Sequence, residues 1–124
     1  MNLVDSCGWL EYLADGPNAD FYAGSLTDTG NLVVPFICIA EVFRKVLSLR
    51  GECAAFEAAA LMMRGQVVVL EASIAVLAAG LGSEFKMPLA DSIILATAQE
   101  FKAILWTQDS DFKNISNVKY FPKK

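Results

Sequence analysis

Short apolar runs alternate along the chain with segments whose apolar residues recur at helical spacing. Five of the runs are brief and nearly continuous in apolar character, and runs of this kind are typical of strands that are buried on both faces. The sequence therefore predicts five strands, at Asn2–Asp5, Leu32–Pro35, Gln66–Leu70, Ala103–Thr107 and Val118–Phe121.

The segments between these runs predict helices, three of which end at glycine or at Gly-Pro. They are Ser6–Ala14, Asn18–Thr27, Cys38–Leu49, Glu52–Met63, Ser73–Leu81 and a last helix that opens at Met87-Pro88 and contains PLADSIILATAQE. Ser6 is expected to cap the first of them. In the third helix the spacing turns a set of apolar side chains inward, namely Val42, Phe43, Val46, Leu47 and Leu49.

Strands separated by helices predict an α/β fold with a parallel sheet of about five strands and helices on both faces. The length of 124 residues suits one domain over residues 1–124. In such sheets ligands bind beyond the carboxyl ends of the strands, near the point where the strand order reverses. Residues that directly follow strands are therefore the first candidates for a functional site.

The composition narrows the possible environments and partners. Apolar residues make up 55% of the chain and the mean hydropathy is +0.42, so we expect a partner chain or a second copy to cover part of the surface. Uncharged stretches are too short to cross a membrane. The N-terminus lacks the basic residues of a signal peptide. The odd set Cys7, Cys38 and Cys53 indicates buried thiols, and a cytoplasmic location is expected.

The chain contains no histidine, which excludes Ser-His-Asp and Cys-His catalysis and the common histidine zinc sites. The net charge is −4, which is unusual for a nucleic-acid-binding protein. The charge is unevenly spread, however, because four lysines and no acid follow Asp111: Lys113, Lys119, Lys123 and Lys124. Either this tail is simply solvated, or it contacts phosphates together with Arg44 and Lys45.

Four acids stand out by position, and each has a structural alternative. Asp5 ends the first strand, and its structural alternative is to cap the helix that follows. Glu41 shares a helix face with Arg44 and Lys45, which fits an exposed ion-paired face. Asp109, with Asp111 nearby, could form a turn. Asp91 is harder to explain structurally, because it shares the stripe of Ile94, Leu95 and Ala98, where an unpaired carboxylate costs several kcal/mol.

The predicted fold brings Asp5, Glu41, Asp91 and Asp109 towards one edge of the sheet. Carboxylates crowded together repel one another unless a cation is present. Oxygen ligands suit hard cations such as Mg²⁺ or Mn²⁺, which are bound by a few carboxylates with waters and substrate phosphate. Such a site could activate water for a displacement at phosphorus.

The motifs LVDS, AEVFRKV, PLADSIILATA and LWTQDSDF occur in this order over nearly the whole chain. In these pieces the sequence resembles the PIN-domain ribonucleases, and more narrowly the VapC toxins of toxin–antitoxin pairs. The resemblance implies a PIN-like three-layer sandwich and a Mg²⁺- or Mn²⁺-dependent endoribonuclease acting on tRNA, rRNA or mRNA. It also implies a homodimer that a cognate antitoxin silences.

Carried over by motif, the resemblance implies that Asp5, Glu41, Asp91 and Asp109 are catalytic and hold the metal. Ser6 and Thr107 would support the site by hydrogen bonding, and Asp111 would be a further ligand or a second layer around it.

Other functions remain open from the residues alone. A receiver-like phospho-acceptor also places acids at the carboxyl edge of a sheet, but VVVLEAS offers Glu71 where an Asp is wanted. A catalytically inactive relative that only binds a partner is disfavoured by the complete set of acids. A nuclease for rRNA maturation or for DNA would share the same acid pattern.

Overall fold

The computed structural model describes residues 1–124 as a five-stranded sheet with six α-helices. The strands are β1 Asn2–Val4, β2 Leu32–Pro35, β3 Gln66–Val68, β4 Ile104–Thr107 and β5 Val118–Tyr120. The helices are α1 Ser6–Leu13, α2 Ala19–Thr27, α3 Phe36–Arg50, α4 Glu52–Met62, α5 Ala72–Phe85 and α6 Leu89–Glu100. Two short 3-10 turns lie at Thr29–Asn31 and Ser110–Phe112.

All neighbouring strands pair in parallel, in the order β3-β2-β1-β4-β5. The chain moves from β1 outward to β3, then crosses back over the sheet to β4. Because such crossovers are almost always right-handed, the change of direction puts α1 to α4 on one face and α5 and α6 on the other. The predicted sandwich of a five-stranded parallel sheet between helices is confirmed.

The strand order reverses between β1 and β4, which are neighbours in the centre of the sheet. The connections that leave their carboxyl ends go to opposite sides, which opens the crevice where parallel sheets bind ligands. Asp5 directly follows β1, and Gln108 and Asp109 directly follow β4. The fold therefore brings Asp5, from the start of the sequence, to the same edge of the sheet as Gln108 and Asp109, from its last part.

One continuous hydrophobic core draws on every helix and on four of the five strands. The residues of α6 from Ser92 to Ala98 are all buried, which explains the nearly unbroken apolar character of that motif. In α3 the inner stripe is Cys38, Val42 and Val46. The prediction that Leu47 and Leu49 also point inward was wrong: they are 43% and 69% exposed, because they lie off that stripe.

Element boundaries differ from the predicted ones where the sheet ends. β3 stops at Val68, and Val69 and Leu70 are exposed, because β3 is an edge strand with one neighbour only. α5 runs on to Phe85 and ends at Lys86 in the left-handed conformation. None of the helices combines the length and the apolar character that a bilayer crossing requires.

Candidate active site

The carboxylate of Asp5 caps α1 and is almost completely buried, with 3% of its surface exposed. Its Oδ1 accepts hydrogen bonds from the backbone N–H of Gly8 at 3.0 Å and from the Cys7 thiol at 2.9 Å. The backbone of Asp5 is extended, as an N-cap requires. The prediction that Ser6 caps this helix was therefore wrong, since Ser6 is already its first residue.

Gly8 is required at this cap because the chain packs tightly around it. A Cβ added there would lie 2.5 Å from Val4 Cγ1 and 2.6 Å from Tyr22 Cε1, well inside contact distance. The absence of a side chain lets the first turn of α1 approach β1 and α2 closely. The N–H of Gly8 is thereby held in reach of the Asp5 carboxylate.

Thr107 joins Asp5 to the segment that follows β4. Its hydroxyl donates to Asp5 Oδ2 and accepts from the backbone N–H of Asp109 at 2.9 Å. Asp109 in turn begins the 3-10 turn, where its Oδ1 accepts from the N–H of Asp111 at 2.9 Å. This series of bonds orients the loop Thr107–Asp111 relative to the end of β1.

Three acids meet beside this loop. Carboxylate oxygens of Asp91, Asp109 and Asp111 all lie within 4.8 Å of one another. Asp91 comes from the first turn of α6, on the opposite face of the sheet from α1. Asp91 and Asp109 are half-buried, and Asp111 is exposed. Asp5 and Glu41 are outside this group of three.

The electrostatics of the site are those of uncompensated negative charge. Burial raises the pKa of Asp91 to about 7, and the charge of Asp109 and the Asp111 carboxyl add to the shift. Burial likewise raises the pKa of Asp5 to about 6, although its hydrogen bonds to Cys7, Thr107 and Gly8 oppose the shift. Every charged group that shifts the pKa of Asp91 is another acid, so without a cation this site favours bound protons.

Glu41 lies on the exposed side of α3 and is tied to α1. Its Oε1 accepts a hydrogen bond from Ser6 Oγ at 2.7 Å. Ser6 adjoins Asp5, so Glu41 stands at the rim of the site next to the cap of α1. Of the predicted residues, Asp91, Asp109 and Asp111 thus converge directly, Asp5 and Thr107 adjoin them through hydrogen bonds, and Ser6 and Glu41 form a separate pair at the rim.

Sequence reasoning missed Cys7, Gly8 and the pair Asn18–Gln108. Burial and the neighbouring Asp5 raise the pKa of the Cys7 thiol far above its usual range, so it remains a protonated donor. Asn18, which is 2% exposed, donates from Nδ2 to Gln108 Oε1 at 3.0 Å. Only Gly8 had a signal in the sequence, as a glycine inside the first turn of a predicted helix.

The donor set fits a hard divalent cation. Asp91, Asp109 and Asp111 offer only oxygen ligands, close enough together to reach one ion. Their mutual repulsion and the absence of a basic neighbour among the groups that shift Asp91 leave negative charge for a metal to neutralise.

Comparison with known proteins decides the family. The PIN domain family model matches residues 3–118. This chain belongs to the PIN domain family. The match includes all the acids described above. Family membership disfavours the receiver-like alternative. No curated protein matches the chain.

Solved structures with the same fold support the PIN domain assignment. A toxin–antitoxin complex from Klebsiella pneumoniae is 22% identical with a TM-score of 0.84, covering 99% of this chain and 100% of that one. VapBC2 from Rickettsia felis, bound to a promoter DNA fragment, is 15% identical with a TM-score of 0.74, covering 98% and 97%. Mycobacterium tuberculosis VapC20, a toxin that cleaves the sarcin–ricin loop, is 17% identical with a TM-score of 0.77, covering 94% and 95%.

Proposed function

We propose that this PIN domain is a metal-dependent endoribonuclease and the toxin of a VapBC-type toxin–antitoxin pair, acting in the cytoplasm. The observation that carries the proposal is the convergence of Asp91, Asp109 and Asp111 within 4.8 Å at the reversal of strand order. The similar structures of a toxin–antitoxin complex, of VapBC2 and of an RNA-cleaving VapC toxin support the biological role.

Asp91, Asp109 and Asp111 would hold Mg²⁺ or Mn²⁺, with Asp5 and Glu41 completing the acidic surroundings. When bound, such an ion neutralises charge on the scissile phosphate and lowers the pKa of water. The protein's own contribution is placement. Thr107 orients Asp5 and the backbone of Asp109, and Ser6 orients Glu41. The proposed substrate is an RNA phosphodiester in tRNA, rRNA or mRNA.

The first test is cleavage of a pool of total tRNA and rRNA by the purified chain with Mg²⁺ or Mn²⁺, and with EDTA. We expect metal-dependent cuts that are lost in Asp91→Asn, which keeps the side-chain volume and removes the charge. Asp15→Asn is the matched control, because Asp15 is exposed beyond the far end of α1 and Asn accepts its positive φ. Equal cleavage by Asp91→Asn and the wild type would overturn the proposal.

The proposed antitoxin contact is an apolar groove of about 590 Å³ between α1, α3 and α4. Its walls include Leu10, Leu13, Leu49 and Leu61. Its charged lining is mostly basic, with Lys45, Arg50 and Arg64 beside the single acid Glu57. A partner segment with an apolar helical face and acidic flanks would complement this surface. The exposed Leu49 agrees with a surface that a partner covers.

A homodimer is proposed from a second apolar surface. Val67 in the edge strand β3, Val69 just after that strand and Val76 on α5 are 40%, 62% and 74% exposed. We expect Leu49→Asp to lose binding to the proposed cognate antitoxin in a pull-down while keeping the dimer mass in light scattering. Val76→Asp should do the reverse. Loss of both properties in both variants would mean that the two surfaces are not distinct.

A further inference from the structure

The end of the chain is anchored beside the candidate active site. The backbone N–H of Phe121 donates to the carbonyl of Thr107 at 3.0 Å, which continues the pairing of β5 with β4. The carbonyl of Pro122 accepts from Asn18 Nδ2 at 3.0 Å, and the same amide donates to Gln108. Lys123 and Lys124 therefore leave the fold at the carboxyl edge of the sheet, next to the loop that carries Asp109.

A row of aromatic rings holds two lysines on this edge. Lys119 Nζ lies 4.5 Å from the centroid of the Trp106 ring, and Lys124 Nζ lies 5.2 Å from that of Phe121. Phe21 connects the two rings, with centroid distances of 5.2 Å to Trp106 and 4.9 Å to Phe121. Both lysines are exposed, whereas the three rings are half-buried. Cation–π contacts thus position two ammonium groups that remain open to solvent.

The charge distribution makes this edge the complement of the acidic site. No acid follows Asp111, and the chain as a whole carries −4. A polyanion that approaches the carboxylates of Asp91 and Asp109 is repelled by them and by the average charge of the protein, so local cations must hold it. Lys119, Lys123 and Lys124 lie on β5 and in the residues that follow it. Lys113, at the end of the 3-10 turn, lies over the Tyr120 ring at 5.9 Å instead, on the other face of β5.

We propose that the basic edge, defined as Lys119, Lys123 and Lys124 with the rings of Trp106 and Phe121, binds the backbone of single-stranded RNA and leads it to the acidic site. Lysines beside partly exposed rings suit an unpaired strand, whose bases are free to stack while its phosphates meet the ammonium groups. The inference rests on the proposed nuclease function, because it assigns the substrate of that same site.

The test measures RNA binding apart from cleavage. A fluorescein-labelled single-stranded RNA is titrated with protein in EDTA, and the affinity is followed by anisotropy over a range of salt concentrations. In Lys119→Gln/Lys124→Gln we expect at least a tenfold weaker affinity. The slope of log K against log salt should become shallower by about 1.4, since each lost phosphate contact contributes about 0.7 on a single strand. Lys119→Arg/Lys124→Arg, which keeps both charges, should bind like the wild type.

Further variants and a fluorescence measurement show whether the effect on RNA binding comes from the basic edge. Lys102→Gln removes one charge at the opposite, amino end of β4 and should leave binding unchanged. Lys124→Gln alone removes the charge beside the Phe121 ring without disturbing the Trp106 ring, and should shift the slope by about half as much. In a Trp9→Phe background, quenching of Trp106 fluorescence by RNA reports contact at this edge directly.

Unchanged affinity and slope in the double glutamine variant would overturn the inference, as would an equal loss in Lys102→Gln. If the double glutamine variant binds RNA as well as the wild type, the alternative ligand of these lysines is an acidic protein segment. Failure here is distinguishable from failure of the nuclease function. If the variant binds RNA normally and the wild type still cleaves it, only the basic edge is wrong. If the variant loses binding but no protein cleaves RNA, only the nuclease is wrong.

Discussion

Thr107 donates a hydrogen bond to the buried carboxylate of Asp5, although the two residues are 102 positions apart. The bond spans the two central strands β1 and β4 at the reversal of strand order. Because the same hydroxyl accepts from the backbone of Asp109, one side chain connects the cap of α1 with the loop of the acidic site.

Replacing Thr107 by valine should therefore lower the stability of the folded protein. Thr107→Val keeps the shape but leaves a buried Asp5 oxygen and the Asp109 N–H without their partner, which costs about 1–3 kcal/mol of unfolding free energy. Thr107→Ser, which retains the hydroxyl, should lose much less. Urea denaturation of the two variants gives the comparison. A valine variant as stable as the serine variant would show that this hydrogen bond contributes nothing net.

Gly8→Ala should be destabilising by about 1–3 kcal/mol, because the new methyl group overpacks against Val4 and Tyr22 and displaces the Asp5 cap. Gly24→Ala is a matched control in α2, where an added Cβ meets nothing within 4 Å. It should stabilise the protein by roughly 0.5–1 kcal/mol through helix propensity. Thermal denaturation of both variants tests the contrast, and equal shifts of the same sign would contradict it.

The metal-free protein should be more stable at pH 5 than at pH 8. Folding raises the pKa of Asp5 to about 6 and that of Asp91 to about 7, from 3.8 in the unfolded chain. The folded state therefore binds more protons than the unfolded state in this range, and the unfolding free energy falls as pH rises. The contribution is fully present below pH 3.8 and is lost as pH rises through about 6 and 7.

Urea denaturation in EDTA at several pH values measures this slope. Asp91→Asn cannot gain a proton and should flatten the dependence between pH 6 and 8, whereas Asp15→Asn should leave it as in the wild type. A protein that becomes more stable as pH rises from 5 to 8 would contradict the uncompensated acidic site.

Mn²⁺ should stabilise the folded protein, and more so at pH 8 than at pH 6, because protons compete for the same carboxylates. At a metal concentration of 100 Kd the gain is about 2.7 kcal/mol. Asp109→Asn and Asp111→Asn should weaken Mn²⁺ binding at least tenfold, whereas Glu41→Gln, outside the group of three, should weaken it less. Isothermal titration calorimetry ranks the variants. Stronger dependence on Glu41 than on Asp111 would place the metal nearer α3 instead.

The amino-acid sequence by itself determined the five strands, the six helices and the parallel sheet, since continuous apolar runs and helical spacing report burial directly. It also singled out Asp91, because a carboxylate on a stripe with Ile94, Leu95 and Ala98 conflicts with simple core packing. The prediction of buried positions failed at Leu47 and Leu49 on α3, which the tertiary structure leaves exposed. Apolar spacing along a helix does not show which of its positions another element covers.

Only the tertiary structure decided which acids share a site. Asp111 joins Asp91 and Asp109 because a 3-10 turn folds it back beside them, whereas Glu41 stays at the rim with Ser6. The roles of Cys7 and Gly8 around the Asp5 carboxylate, and the anchoring of Pro122 by Asn18, likewise depend on contacts between distant segments. Spacing along a chain sets the face and the edge on which a side chain lies. Distances of a few ångströms between elements are set by how the helices pack on the sheet and by the turn that follows each strand.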